Sequence, residues 1–428
     1  MSTKKLLQIE KGAIAQWLIL WIIALPLLWG VIFDALHLPS AFKYTADVMW
    51  VILLGLMVAR KKIIVPKRIL PLVICVVLFF LYSFINYLFN YESAIYFLWG
   101  MRNNFRFYVF FFAVTTFFKA NKAEKCYKIL DVLFWINAPI VLIQYFLMGY
   151  KQDYLGGIFG IESGVNATTI IFFAVVISRS LLLYMEKKES FSLCAAKCLT
   201  SLVISILAEL KFYFVFFLIM LVLSILLTSF SWRKLMMFFI GAVAVYITSS
   251  LMVELFGFEG FMSIENIWAL ATQKYYSSMD TVNRLSAIPT LSELLVTEWG
   301  DRLFGFGLGN CDTSSFAICN TPFYQMYGYL RYTFFSCAFL FLEIGYIGLL
   351  IYVAFFVICG VLIYKRIIEG HCNKLHGRIA LIMSILALIL VVYNASLRAE
   401  SGYIVYFILA LPFLNRKYDE DNCLVEKE

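Results

Sequence analysis

Uninterrupted apolar runs of about 20 residues, each long enough to cross a bilayer as one helix, recur from one end of the chain to the other. The first, AIAQWLILWIIALPLLWGVIF from Ala13, follows Lys4, Lys5 and Lys11 and lacks a small-residue cleavage site. It reads as a retained signal anchor rather than a cleaved signal peptide. Twelve spans are predicted, at roughly 13–33, 44–59, 69–89, 104–118, 127–148, 166–185, 193–208, 211–230, 235–256, 334–364, 379–396 and 402–415. Of 428 residues, 63% are hydrophobic and 14% charged, whereas soluble domains carry about 25% charged residues. The expected fold is all-α and polytopic, with about 12 transmembrane helices and one large extracytoplasmic loop.

Basic residues orient such a chain, because loops left in the cytoplasm are enriched in Lys and Arg. Arg60, Lys61, Lys119, Lys122, Lys187, Lys188, Arg233, Lys234, Lys365, Arg366, Arg416 and Lys417 all fall at even-numbered junctions or in the tail. This pattern predicts a multi-pass protein of the cell membrane with both termini cytoplasmic. The net charge of +8 then belongs to loops facing anionic lipid headgroups, and membrane lipids rather than nucleic acid are the expected partners. Four regions follow: nine helices over 1–256, the large loop over 257–331, three helices over 332–415, and a cytoplasmic tail over 416–428.

Within the loop, NRLSAIPTLSELLVTEW (Asn283 to Trp299) sets Leu285, Ile288, Leu291, Leu295 and Trp299 at helical spacing, which predicts an amphipathic helix on the membrane surface or the bundle. Pro289 bends or starts it. Beyond it, LFGFGLGN places glycines at 305, 307 and 309. A phosphate loop needs strand, turn and helix in order, and no strand precedes this one. The glycines instead mark either a flexible turn or a loop whose backbone closely approaches another surface. GGIFGIESGVN (Gly156 to Asn166) is a second glycine-bearing outer segment, read as packing against the large loop. Cys311 and Cys319 both lie in that loop, either paired or as free thiols. The ten cysteines show no metal spacing, and His37, His371 and His376 suggest no metal site.

Charges near hydrocarbon are costly, about 2.5–3.5 kcal/mol on insertion scales, and so are functional candidates. They crowd the outer side. Arg102 and Arg106 lie four apart in MRNNFRFY, on one helix face. Glu209 and Lys211 share the tight turn AELKFY, and Arg398 and Glu400 the last outer turn SLRAESG. Arg284, Arg302 and Arg331 come from the loop. Such cations on the translocated side suggest an anionic ligand, best a diphosphate at the membrane surface.

Several landmarks, GGIFGIESGVNATT, AELKFYFVF, NRLSAIPTLSELL, FGFGLG and FLEIGYIGLLIYV, occur in an order that resembles the integral-membrane O-antigen polymerase/ligase family. The similarity covers roughly residues 150 to 360. It implies a glycosyltransferase using neither metal nor other cofactor, which moves a glycan from a polyprenyl-diphosphate carrier to an acceptor hydroxyl outside the membrane. Lys211 and Arg284 match the family's basic positions, as diphosphate binders that stabilise the leaving group. Arg102, Arg106, Arg331 and Arg398 are further candidates for that role. The ligase branch carries a histidine near the end of the large loop. YGYLRYTFFSCAFLFLEIG has none, which favours a polymerase of O-antigen or capsule. A chain-length regulator and a flippase of the same pathway are the implied protein partners. The general base stays open among Glu209, Asp280, Glu293 and Glu400. In this reading the glycines of GFGLG let the loop pack over the donor site. A transporter or flippase is the rival reading.

Overall fold

The computed structural model describes residues 3–59, 66–90, 93–162, 164–229, 231–256, 263, 265, 268–269, 272–275 and 281–414. The described residues form helices and connecting turns, with one isolated antiparallel bridge between Tyr275 and Val282. A helix occupies each of the twelve stretches read as apolar: α1 (Thr3–Leu27), α2 (Thr45–Val58), α3 (Leu70–Asn90), α4 (Ala94–Phe117), α5 (Ala120–Phe146), α6 (Asn166–Met185), α7 (Phe191–Leu207), α8 (Tyr213–Leu226), α9 (Trp232–Phe256), α13 (Ser336–Ile368), α14 (Lys374–Tyr393) and α15 (Gly402–Ala410). Between α9 and α13 the described residues include the short helices α10 (Ala287–Leu294), α11 (Trp299–Phe304) and α12 (Pro322–Tyr327). Among the described residues, seven helices are long and apolar enough to cross a membrane, and four shorter helical segments are also apolar.

Burial separates inner from peripheral helices. The apolar window of α6 is 89% buried and that of α14 72%, against 11% for α2. Helix α6 therefore lies at the centre, packed on α8, α7 and α14, while α2 leans on α1 and α4 at the edge. Peripheral helices turn Trp17, Val48, Phe89, Leu226 and Leu350 outward. Apolar surface on this scale is what lipid, not water, accommodates. Local caps fix several starts: the Ser93 hydroxyl accepts from the Ile95 amide, and the Asn373 side chain accepts from the amides of Leu375 and His376.

The end opposite the 281–335 loop carries a network of ion pairs. There Arg179 pairs with Glu124 at 2.6 Å and with Asp131, Lys197 bridges Asp131 and Glu189 at 3.1 and 3.3 Å, and Arg378 meets Glu186. These bonds tie α5, α6, α7 and α14 together at that end.

Two details differ from the sequence expectation, and one that it left open is decided. Helix α11 starts only at Trp299, so within 283–299 the expected amphipathic helix shrinks to α10, with Pro289 in its first turn. Its buried residues are Ala287, Thr290, Leu291 and Ser292, whereas Leu285 and Trp299 of the expected stripe are 49% and 72% exposed. Among the described residues, the 156–166 segment is held by α5 and the end of α1 rather than by the large loop: Asn137 Oδ1 accepts from the Ile158 amide at 2.8 Å, Gln144 Oε1 from the Gly157 amide at 2.7 Å, and Asp34 Oδ2 from the Ile161 amide at 2.8 Å. Cys311 and Cys319 are separate, buried thiols.

Candidate functional site

Helix α13 has 33 residues, so at 1.5 Å per residue it runs about 50 Å, longer than a hydrocarbon core of about 30 Å. It is broken at Gly345, where φ is 62° and ψ −169°. The break frees backbone groups, and the 305–309 loop takes them up. The Phe306 amide donates to the Leu342 carbonyl and the Gly307 amide to the Glu343 carbonyl, both at 2.8 Å. A Cβ on Gly305 would stand 2.6 Å from the backbone of Glu343, Ile344 and Gly345, and one on Gly309 would stand 1.9 Å from the Tyr96 carbonyl oxygen. The glycines thus let bare backbone wedge between α13 and α4, with φ of +74° to +106° that other residues resist. Of the two sequence readings, close approach is the one the geometry bears out.

The loop end of the bundle carries two polar clusters. In the first, the arginines of α4 meet carboxylates. Arg102 forms a fork on Asp47, Nε to Oδ1 at 3.0 Å and Nη2 to Oδ2 at 2.5 Å, and lies over the rings of Trp99 and Tyr44. One turn on, buried Arg106 reaches Glu400 at 3.1 Å and Asp47 at 4.0 Å, and donates to the Arg398 carbonyl at 3.0 Å. Asn103 between them donates to Asp312 at 2.6 Å. Arg398 lies on the Phe339 ring at 3.3 Å, attracted by Asp312 and Glu343. Burial raises the Asp312 carboxyl above its usual range, against Arg398, the Thr313 amide and Asn103, which pull it down. For Glu400, burial pushes up, but Arg106, a backbone amide and Arg102 outweigh it and hold the carboxyl below the usual range. Arg102 and Arg106 do share a helix face, but as members of an ion-pair chain. Arg398 joins the same cluster.

The second cluster holds the two residues singled out by the resemblance. Glu209, at φ +51°, turns the chain between α7 and α8, and the Lys211 amide donates to its carbonyl at 2.8 Å. The next residue, Phe212, stacks on Tyr393 at 4.2 Å, and the Arg284 guanidinium lies over the other side of this contact, 4.3 Å from the Tyr393 ring. This aromatic bridge brings a cation of the loop to the turn that carries Lys211. The two feel each other: burial and the Arg284 charge lower the Lys211 ammonium, and Glu209 partly offsets them. Two neighbouring cations with one carboxylate make a place where an anion is favoured.

Arg331 is exposed at φ +53° and stacks on Phe334, with no ion pair among the described residues. Glu293 pairs with Lys274 at the surface. Asp280 lies outside the described residues. Sequence reasoning did not single out Asp47, Asn103, Asp312, Phe212 or Tyr393. It quoted Glu343 only as a landmark. A carboxylate alone in the apolar run FLFLEIGYIGLL was the signal for Glu343, and nothing comparable marks the aromatic pair.

Two hollows open at the loop end. The larger, 350 Å³, lies among Tyr275, Leu294, Tyr327 and Tyr329, with no charged group among the described residues of its lining. The smaller, 160 Å³, is lined by Trp29, Glu162, Thr168 and Glu400, among others. Comparison with models of known protein families found no match, and neither did comparison with curated protein sequences.

Proposed function

We propose that this protein is a twelve-span membrane glycosyltransferase that polymerises lipid-linked repeat units into a surface polysaccharide, O-antigen or capsule, on the extracytoplasmic face. The observation that carries the reading is the approach of Arg284 to Lys211 across the Phe212–Tyr393 stack. In this role the two cations receive the polyprenyl diphosphate. An acceptor hydroxyl attacks the anomeric carbon, the carbon–oxygen bond to the diphosphate breaks, and its electron pair leaves with the diphosphate. Lys211 and Arg284 stabilise the charge as it develops, an effect worth about 10²–10³ in rate for one such donor.

The hydroxyl proton goes to Glu209, which lies in the same turn as Lys211. Glu400 suits that task less, because a carboxylate held low by Arg106 is a weak base. The paired arginines Arg102 and Arg106 hold the outer ends of α2, α4 and the 394–401 turn in register rather than binding the diphosphate. The GFGLG wedge fixes the loop that carries Arg284 onto α13.

A transporter of the same lipid-linked oligosaccharide is the second reading, favoured by the broken helix α13 with buried Glu343 beside the break, a feature common in carriers. Deleting the protein in its host and resolving the lipid-linked and surface glycans on a gel separates the readings. Single repeat units on the outward-facing carrier mean polymerase. Full-length chains still on the carrier mean ligase, units stranded on the inner leaflet mean transporter, and an unchanged profile refutes all three.

A further inference from the structure

The smaller hollow has walls made by three separate parts of the chain. The first is the end of α1, which gives Pro26 and Trp29 just ahead of the π-helical turn Gly30–Ala35. The second is the 156–168 segment, held against that turn so closely that a Cβ on Gly30 would stand 2.5 Å from the Gly160 amide nitrogen. Bonds to Gln144, Asn137 and Asp34 anchor its 157–161 part. The third is the 399–401 turn, where Arg106 fixes Glu400.

What these walls present is an aromatic ring, Trp29, together with two carboxylates, Glu162 and Glu400, and the Thr168 hydroxyl. The space of 160 Å³ equals about five waters at roughly 30 Å³ each, the scale of one sugar ring. An aromatic face receives the C–H side of a pyranose, and ionised carboxylates accept from its ring of hydroxyl donors. Because Arg106 orients Glu400 and keeps it charged, that oxygen is a fixed acceptor, which is what a few placed polar groups in a small pocket supply.

We infer that this hollow is a monosaccharide subsite, which grips one ring of the acceptor glycan between Trp29 and the Glu162–Glu400 carboxylates. The inference rests on the polymerase reading for the word acceptor alone; the sugar chemistry of the pocket stands by itself. Its place in the reaction is to hold the acceptor while its hydroxyl is presented to the donor.

The test is saturation-transfer NMR on the full chain in detergent. The probe is one reducing repeat unit released from the host's own surface glycan by mild acid, so that it carries no lipid or phosphate. The native protein is expected to bind it. Trp29→Ala and Glu400→Gln should each weaken binding about tenfold or more, the loss expected for one charged or stacking contact. Glu162→Gln, a change on the exposed rim that leaves the fold intact, should weaken it several-fold. Tyr329→Ala, in the other hollow, should leave binding unaltered. Equal binding by all variants, or none by the native chain, overturns the subsite. Displacement of the sugar by added phosphatidylethanolamine, with no binding restored on its removal, also overturns it and assigns the carboxylates to a lipid ammonium group. Sugar binding in a host whose glycan is unchanged on deletion refutes the polymerase and keeps the subsite. An absence of binding with long chains lost on deletion does the reverse.

Discussion

Consider replacing Gly309 with Ala. The added Cβ would stand 1.9 Å from the Tyr96 carbonyl oxygen and 2.6 Å from its carbon, both backbone atoms of α4, at a φ of +90°. Left-handed backbone costs a non-glycine residue about 1–2 kcal/mol, and forcing one more carbon into a packed contact adds about 1–3 kcal/mol. The sum, about 2–5 kcal/mol, lowers the folded-to-unfolded ratio by roughly 30- to 3,000-fold, since each 1.4 kcal/mol is a factor of ten. Gly300 is the control: nothing lies within 4 Å of its Cβ position and its φ is ordinary. In helix α11 its change to Ala should be neutral or stabilise by up to about 1 kcal/mol. Both variants would be made in the full chain, extracted in mild detergent and followed by fluorescence-detected size exclusion after graded heating. Gly309→Ala should lose its monodisperse peak at clearly lower temperature than the native chain, and Gly300→Ala should not. Equal melting of the two would refute the wedge of backbone between α4 and α13.

Other expectations concern the charges. Arg106→Ala should destabilise the folded protein by about 3–5 kcal/mol, because it strands Glu400 and leaves Asp47 with one partner at a buried site, whereas Arg331→Ala should change stability by less than about 0.5 kcal/mol; the same heating assay separates them. Gly307→Ala should reduce activity and stability less than Gly309→Ala, since its Cβ would meet first the Asn310 side-chain amide rather than backbone, with polymer length and melting as the readouts. Asp312 is raised in the fold by burial, so the folded state binds its proton more tightly than the unfolded chain does. Its contribution to stability is therefore fully present below the unfolded value of about 3.9 and is lost as pH rises through the raised folded value. Asp312→Asn should flatten that loss when melting is followed upward from about pH 4, and an undiminished pH dependence would exclude Asp312 as its source.

The helices were legible because an apolar run of this length in lipid has one way to satisfy its backbone. Boundaries were less so. Helix α4 begins at Ala94, ahead of the predicted 104, because Arg102, Asn103, Asn104 and Arg106 interrupt the apolar pattern while their partners, Asp47 and Glu400, come from distant segments. The same distance hid the pairing itself: a row of outer cations looks like an anion site until the carboxylates that face them are placed. Glycine spacing announced a close backbone approach, yet not that the surface approached would be a broken helix at Gly345. Lys211 and Arg284 were named from motifs, but the Phe212–Tyr393 stack that joins them has no pattern among 42 Phe and 26 Tyr.

The most direct test of the proposed role of Lys211 and Arg284 is turnover in membrane vesicles. Vesicles holding native chain, Lys211→Ala or Arg284→Ala at matched levels would receive lipid-linked repeat units, and polymer would be quantified over time. The proposed role predicts a loss of about a hundredfold or more in each variant, with monomeric units left on the carrier. Polymer formed at the native rate by both variants would contradict it.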